Sequence, residues 1–406
     1  MKTTIRIQPS LLRLLVVLIM SRTVWAGEES TPAWSVSLDF PSEMVSAWRD
    51  ERERRALQTR SPHILAWIPE GLKRTRAMLL VANNTDLVEL AQYGPIREVV
   101  ARYDGVLLFL QHFPVSLFEG DRPLENAEAI VTGLFQHIET TTGVSGISTA
   151  PWITIGKSSR GRFAFRPAWL FPERTIATIS YHGETPPWPL PDWAESAARH
   201  SILHLNINGL TEWAGTWYRH VRPALLNYNS QTRWLAHQAV IYGVDHGYYV
   251  DYYLYPNFRK EMPKDHRHIR VTDVWDYMAA FIETALKLRL PPEGESDAGL
   301  RDVSRDSGIL LHPRVFEELL GLKWFALRSS EQGIYQLIPW PDEPTPVFAE
   351  TQGVIAPENL VRQAASPRGE NLNGWYWMPD RDLLRAWLRL HNVYPRLASQ
   401  LLSAIP

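Results

Sequence analysis

The chemistry open to this chain rests on serine, histidine and carboxylate side chains, because its 406 residues include no cysteine. A thiolate nucleophile, a disulfide framework and a cysteine-ligated metal centre are therefore excluded. One serine has a setting that suits chemistry. Ser158 follows the apolar run Trp152–Ile155 and precedes a helical pattern, so the predicted local order is strand, tight turn and helix.

The segment Gly156-Lys157-Ser158 also matches the end of the phosphate-binding loop, G-x-x-x-x-G-K-[ST]. That motif needs a glycine at position 151, where this chain has Pro151. It also needs a loop where the apolar pattern predicts a strand. We therefore reject a phosphate-binding loop, and the remaining alternative is a serine that only caps the following helix.

The strand, turn and helix around Ser158 resemble the nucleophile elbow of the α/β-hydrolases, which has the pattern G-x-S-x-G. Gly156 matches the first glycine, which allows the strand and helix backbones to approach closely. Arg160 stands at the second glycine, and Gly161 follows one residue later. Glucuronoyl esterases and some related hydrolases share this departure. The resemblance covers roughly residues 60 to 290 and implies that Ser158 is the nucleophile.

The resemblance also implies the order serine, acid, histidine, each after a later strand. Glu212 follows the run Ile202–Ile207 and His246 follows the run Ala239–Tyr242, so these two residues are the implied acid and base. Glu184 follows an earlier strand and stays open as the acid. His182 lies after that same strand, too early for the usual base.

An oxyanion hole in this family uses the backbone amide after the nucleophile and one from the loop after the third strand. The implied donors are Ser159 and Asn84, with Asn83 as an equal alternative to Asn84. The Asn-Asn-Thr segment also suits a cap for a helix that starts at Asp86. Both roles are compatible.

Aromatic residues surround the predicted site in sequence. The segment from Tyr181 to Ser201 is too short for a large helical lid, and we expect a fairly open cleft. Arg160 is a candidate for binding an anionic group, as is Lys157. The other predicted substrate-binding residues are Trp188, Trp213, Trp217 and Tyr248. No metal site or cofactor is predicted, because His266 and His268 have no third ligand in view.

Alternating β-rich and helical runs predict an α/β-hydrolase fold, with a mostly parallel central sheet and helices on both faces. Strands are predicted at His63–Ile68, Ala77–Ala82, Gly105–Gln111, Trp152–Ile155, Thr175–Tyr181, Ile202–Ile207 and Ala239–Tyr242. Helices are predicted near Leu87–Arg102, Glu125–Thr140, Ser158–Leu170, Trp217–Tyr228, Val271–Ala285 and Arg381–Leu402.

Three regions are predicted along the chain. Residues 1–26 form a signal peptide, because basic residues precede the apolar run Leu14–Met20 and a small-residue pattern ends at Ala26. Residues 27–291 form the hydrolase domain, and residues 292–406 form a C-terminal accessory region. Export implies a secreted or periplasmic protein with no stable membrane span after cleavage. The net charge of −2 excludes a polyanion partner such as nucleic acid.

Three functional classes follow from these features. The first is a serine carboxylesterase that acts outside the cytoplasm on small-molecule or oligosaccharide esters, including those of plant polymers. The second is a serine peptidase of the prolyl-oligopeptidase-like type, which shares the same triad. The third is a catalytically inactive binding protein, motivated by Arg160 in the turn.

Overall fold

The computed structural model describes most of the predicted hydrolase core and part of the C-terminal region. The described residues are 34–39, 63–84, 87–111, 127–183, 201–209, 235–241, 269–295, 299–312, 315, 325–329, 335–339, 361–363, 375–391 and 395–403. The predicted signal peptide and the predicted helix Trp217–Tyr228 lie outside these ranges, and so do several predicted site residues.

Eight strands form one sheet in the order β1-β2-β4-β3-β5-β6-β7-β8. The strands are β1 Val36–Asp39, β2 His63–Trp67, β3 Ala77–Ala82, β4 Gly105–Gln111, β5 Trp152–Lys157, β6 Thr175–Tyr181, β7 Leu203–Gly209 and β8 Leu235–Ile241. The β1–β2 and β2–β4 pairs are antiparallel, and the other five pairs are parallel. The predicted mostly parallel sheet is confirmed, and the edge strand β1 is an element that the sequence pattern missed.

Within the described ranges, five helices accompany these strands: α1 Leu87–Gln92, α2 Gly94–Arg102, α3 Ala127–Thr142, α4 Gly161–Leu170 and α5 Val271–Arg289. The single helix predicted at Leu87–Arg102 is two helices, separated at Tyr93. Pro95 lies in the first turn of α2, where its missing backbone N–H costs nothing, whereas inside a continuous helix it would remove a hydrogen bond.

Apolar side chains cover both faces of the sheet. One buried cluster joins α1, α2 and α5 to the odd-numbered face of β3, including Leu79 and Val81. A second joins α3 to Met78 and Leu80 on the opposite face. A third joins α4 to Ala236 of β8. Strands buried on both faces read as continuous apolar runs, which is why β3 and β4 were predicted at their observed bounds.

The C-terminal region adds five short strands and two helices: β9 Ile309–Leu311, β10 Phe325–Ser329, β11 Tyr335–Pro339, β12 Val361–Gln363, β13 Tyr376–Met378, α6 Arg381–Leu390 and α7 Pro395–Ser403. The helix predicted at Arg381–Leu402 is divided, and Pro395 begins its second part. β13 packs against β8, and α6 packs against α5. Trp377 and Trp387 belong to the same buried cluster as α5.

The outer edge of β8 is bonded to side chains of this region. Trp387 donates from Nε1 to the carbonyl oxygen of Gln238 over 2.7 Å. The backbone amide of Val240 donates to Nε2 of His391, which immediately follows α6, over 3.1 Å. None of the described helices combines the length and the apolar character needed to cross a bilayer.

Candidate active site

The chain leaves β5 through one turn of 3₁₀ helix, Ser158–Arg160, and enters α4 at Gly161. Ser158 has a backbone φ of 53°, in the left-handed region that side chains other than glycine rarely adopt. This conformation costs roughly 1–2 kcal/mol per residue, and such strain is concentrated at functional sites. The residue that caps α4 is Arg160, so Ser158 is not simply the cap of that helix.

Gly156 is required by the crowding inside this turn. A Cβ atom at Gly156 would lie 2.0 Å from the carbonyl oxygen of Arg160 and 3.1 Å from the amide nitrogen of Ala164. The first contact is far below any distance that a real Cβ atom shows. The close approach of strand and helix that Gly156 predicted is therefore present.

The shifted second glycine also has a physical reason. Arg160 has a φ of −98°, a negative value that any residue can adopt, so glycine is not needed there. Gly161 instead faces Gly183, which follows β6: a Cβ atom on Gly183 would lie 2.7 Å from the Cα atom of Gly161. Glycine at 183 therefore lets the end of β6 approach the start of α4.

The loop after β3 is bonded to the serine turn. Asn84 donates from Nδ2 to the carbonyl oxygen of Lys157 over 2.7 Å. Its own carbonyl oxygen accepts from the amide of Leu87, the first residue of α1, over 3.0 Å. Asn84 therefore holds the predicted oxyanion loop beside the residue that precedes Ser158, and it also closes the turn before α1.

Lys157 is buried, with 3% of its surface exposed, although we expected it to be available to a substrate anion. Its ammonium nitrogen lies 5.2 Å from the centroid of the Tyr181 ring, a cation–π distance. Arg160 is only partly buried. Of the two predicted cations, Arg160 is therefore the one whose side chain reaches the surface beside Ser158.

His182 is a feature whose importance the sequence analysis did not identify. It follows β6 with a φ of 46° and is 1% exposed. Its backbone amide donates to the carbonyl oxygen of Ile207 over 2.7 Å, and its ring lies 4.4 Å from that of Tyr181. A second strained residue thus lies at the carboxyl end of the strand next to β5. The adjacent Gly183 was the only sequence signal.

The remaining predicted residues lie outside the described part of the chain: Glu184, Trp188, Glu212, Trp213, Trp217, His246 and Tyr248. The sheet nevertheless constrains where their segments begin. β7 ends at Gly209 and β8 at Ile241, and both run parallel to β5. The described ends of β7 and β8 therefore lie on the same side of the sheet as Ser158.

Among the described residues, no group of three or more His, Asp or Glu side chains is placed to hold a metal ion. His266 and His268 lie outside those residues.

Comparison with known proteins gives similarity in structure alone. No family model and no curated protein matches the chain. An arylesterase is 8% identical, with a TM-score of 0.36, over 68% of this chain and 93% of that one. Poly(aspartic acid) hydrolase-1 from Sphingomonas sp. KT-1 is 14% identical, with a TM-score of 0.35, over 53% and 94%. An S-formylglutathione hydrolase from Staphylococcus aureus is 10% identical, with a TM-score of 0.35, over 55% and 96%.

The topology of the sheet agrees with the family resemblance of the sequence. The parallel strands β3 to β8 are flanked by helices on both faces, and two antiparallel strands complete one edge of the sheet. Ser158, whose backbone is in the left-handed region, lies between β5 and α4. With this topology and this turn, the chain has the α/β-hydrolase fold.

Proposed function

We propose that the chain is an exported serine hydrolase that cleaves carboxylic esters, with Ser158 as the nucleophile, His246 as the general base and Glu212 as the acid. The observation that carries the proposal is the left-handed backbone of Ser158, held between β5 and α4 by the crowding at Gly156. A turn that merely connects a strand to a helix does not require a serine with a strained backbone. A nucleophile that must project from the carboxyl end of the sheet does require such a conformation.

In this mechanism the neutral imidazole of His246 removes the Oγ proton of Ser158 as Oγ attacks the ester carbonyl carbon. The tetrahedral intermediate collapses, and the alcohol leaves with the proton from His246. Water then attacks the acyl-serine by the same steps and releases the acid. Glu212 would fix the imidazole tautomer and stabilise the imidazolium.

The negative oxygen of the intermediate needs preorganised donors. The backbone amides of Ser159 and Asn84 are our candidates. The hydrogen bond from the Asn84 side chain to the Lys157 carbonyl supports this choice, because it fixes the loop after β3 against the serine turn. Removing one such donor in a hydrolase costs about 10²–10³ in kcat.

For the substrate, we propose a rigid or ring-bearing ester, such as a carbohydrate or plant-polymer ester. The support is the set of stiff aromatic residues near the proposed acid and base, together with Arg160 beside the nucleophile. The proposed binding residues are Arg160, Trp188, Trp213, Trp217 and Tyr248. The N-terminal sequence supports a secreted or periplasmic location.

A fluorophosphonate probe tests the nucleophile, because it labels only activated serines. The protein and Ser403→Ala, a control at an exposed serine of α7, should label equally. Ser158→Ala should not label, and its ester turnover should fall by several orders of magnitude. Equal labelling of Ser158→Ala would refute the site, and an unlabelled wild-type protein would favour a binding protein without activity.

The acid and the substrate class need separate measurements. Glu212→Gln should lower kcat far more than Glu184→Gln, since only the true acid orients the imidazole. The reverse ranking would assign the acid to the segment after β6. Turnover of acetyl and feruloyl esters, but not of peptides with an internal proline, would distinguish an esterase from a prolyl-oligopeptidase-like enzyme.

A further inference from the structure

A cavity lies at the amino ends of the parallel strands, opposite the carboxyl ends where Ser158 lies. Its volume is about 150 Å³, and it opens among the segments that precede β3, β5 and β6 and the segment that follows α5. Six residues of β5 separate it from the serine turn, a distance of about 20 Å at 3.3 Å per residue. The cavity is therefore separate from the serine turn.

The walls of this cavity are held together by backbone contacts. Thr75 donates its amide to the carbonyl of Ser145, and the Thr75 hydroxyl bonds the carbonyls of Ala77 and Asp104. Gly146 has a φ of 87°, and a Cβ atom there would lie 2.8 Å from the carbonyl oxygen of Thr75. The segments before β3 and β5 are thus locked to each other.

Arg174 provides one cationic wall. Its guanidinium carbon lies 4.3 Å from the centroid of the Trp152 ring, and Nη2 donates to the carbonyl oxygen of Ala150 over 3.0 Å. Its Nε atom is buried and has no hydrogen-bond partner among the described residues. Burial lowers the pKa of Arg174 to about 10, so the group stays charged at neutral pH.

Arg76 provides a second cationic wall. It is partly buried and donates from Nη2 to the carbonyl oxygen of Pro291, just after α5, over 2.7 Å. Within the described residues, neither Arg76 nor Arg174 forms an ion pair, and the side-chain hydrogen bonds of both go to backbone carbonyls. Two guanidinium groups therefore face one small cavity without a carboxylate bound to either.

The charge of the lining completes the case. Arg74 is a third arginine at the rim, and Glu173, which is exposed, is the one acidic residue among the lining residues that the structure describes. Guanidinium groups bind carboxylate and phosphate oxygens through pairs of N–H donors. We propose that this cavity binds a small oxyanion, the carboxylate or phosphate group of a compact molecule, between Arg76 and Arg174.

A thermal unfolding titration of the whole protein tests this site without relying on activity. Inorganic phosphate and succinate are added at constant ionic strength, with chloride as the balancing anion. We expect Tm to rise with one of the two anions. A ligand that binds only the folded state stabilises it by an amount that grows with the logarithm of its concentration above Kd, so a fit of Tm against concentration gives the Kd of the site.

Two variants place the effect in the cavity. Arg76→Gln keeps a donor for the Pro291 carbonyl but removes the charge, and it should raise the fitted Kd about tenfold or more, since a charge-assisted hydrogen bond is worth about 1.5–3 kcal/mol. Arg385→Gln, at an exposed arginine of α6 that pairs with Asp382, should leave the Kd unchanged. No rise in Tm with either anion, or equal curves for the wild-type protein and Arg76→Gln, would overturn the proposal.

Discussion

The serine turn and the outer edge of β8 are two places where regular strand structure ends. The contacts that stabilise the first are local in sequence, and those that stabilise the second are distant. In the turn, strain and crowding involve residues that are close in sequence: Gly156, Ser158 and Arg160. At β8, the edge is completed by Trp387 and His391, which are 149 and 151 residues away from their partners. One feature is therefore local and the other depends on the whole fold.

The chemistry at β8 is also specific. An exposed strand edge presents N–H and C=O groups that must be satisfied or they invite pairing with another chain. Trp387 supplies a donor to Gln238, and His391 supplies an acceptor to Val240. Because Nδ1 of His391 lies 2.8 Å from the Trp387 carbonyl, that nitrogen must carry the proton and Nε2 must be bare. Only neutral imidazole can complete this edge.

We expect the largest effect from a substitution that disrupts the serine turn. Gly156→Val places a side chain where a Cβ atom alone would lie 2.0 Å from the Arg160 carbonyl, so Ser158 must move. We expect ester turnover and probe labelling to fall below detection. Gly94→Ala is the control, because a Cβ atom at Gly94 meets nothing within 4 Å. A Gly156→Val protein with normal labelling would show that the turn does not constrain the nucleophile.

The second expected effect breaks the edge of β8. Trp387 is fully buried, so Trp387→Ala should lower the free energy of unfolding by about 3–5 kcal/mol through the cavity it leaves. Trp387→Phe keeps most of the apolar volume and loses the bond to Gln238, and should cost less. Urea unfolding measures both. If the two variants lose equal stability, the hydrogen bond and not the packing holds α6 against β8.

This contrast also explains what could be predicted from the sequence. The bounds of β3, β4 and β6 were predicted correctly because apolar runs and the neighbouring turns are local signals. β8 was predicted to begin at Ala239 and actually begins at Leu235, since His237 and Gln238 are polar residues buried by distant elements. Ser158 and Gly156 could be found from a short motif. No pattern in residues 235–241 reveals that Trp387 and His391 will bond there.

The third effect sharpens the comparison through pH. Burial lowers the pKa of His391 from its usual 6.5 to about 4. The unfolded chain therefore takes up a proton before the folded chain does, and stability is complete above about pH 6.5 and is lost as the pH falls towards 4. At pH 5, the free energy of unfolding lost through His391 amounts to about 2 kcal/mol relative to neutral pH.

His391→Gln tests this dependence, because an amide can accept from Val240 and donate to the Trp387 carbonyl without titrating. The variant should lose less stability than the wild-type protein between pH 6.5 and 5, measured by urea unfolding. Other groups of the same core remain: His237, with a pKa lowered to about 3 by burial and by His391, and Tyr277, which bonds His237 and faces Asp380. An unchanged pH slope would mean that His391 is not the titrating group.

We expect the smallest effect on stability from two buried side chains of the neighbouring strands β7 and β8. Gln238 has a satisfied backbone carbonyl, but within the described part of the chain neither polar atom of its buried side chain has a partner, and the same holds for Asn206, its neighbour on β7. Removing both members of an unsatisfied polar pair is neutral or stabilising. We expect Asn206→Leu with Gln238→Met to raise the free energy of unfolding by about 1 kcal/mol. A loss of more than about 1 kcal/mol would mean that ordered water satisfies these amides in solution. In that case β8 would depend on polar contacts on its inner face as well as at its edge.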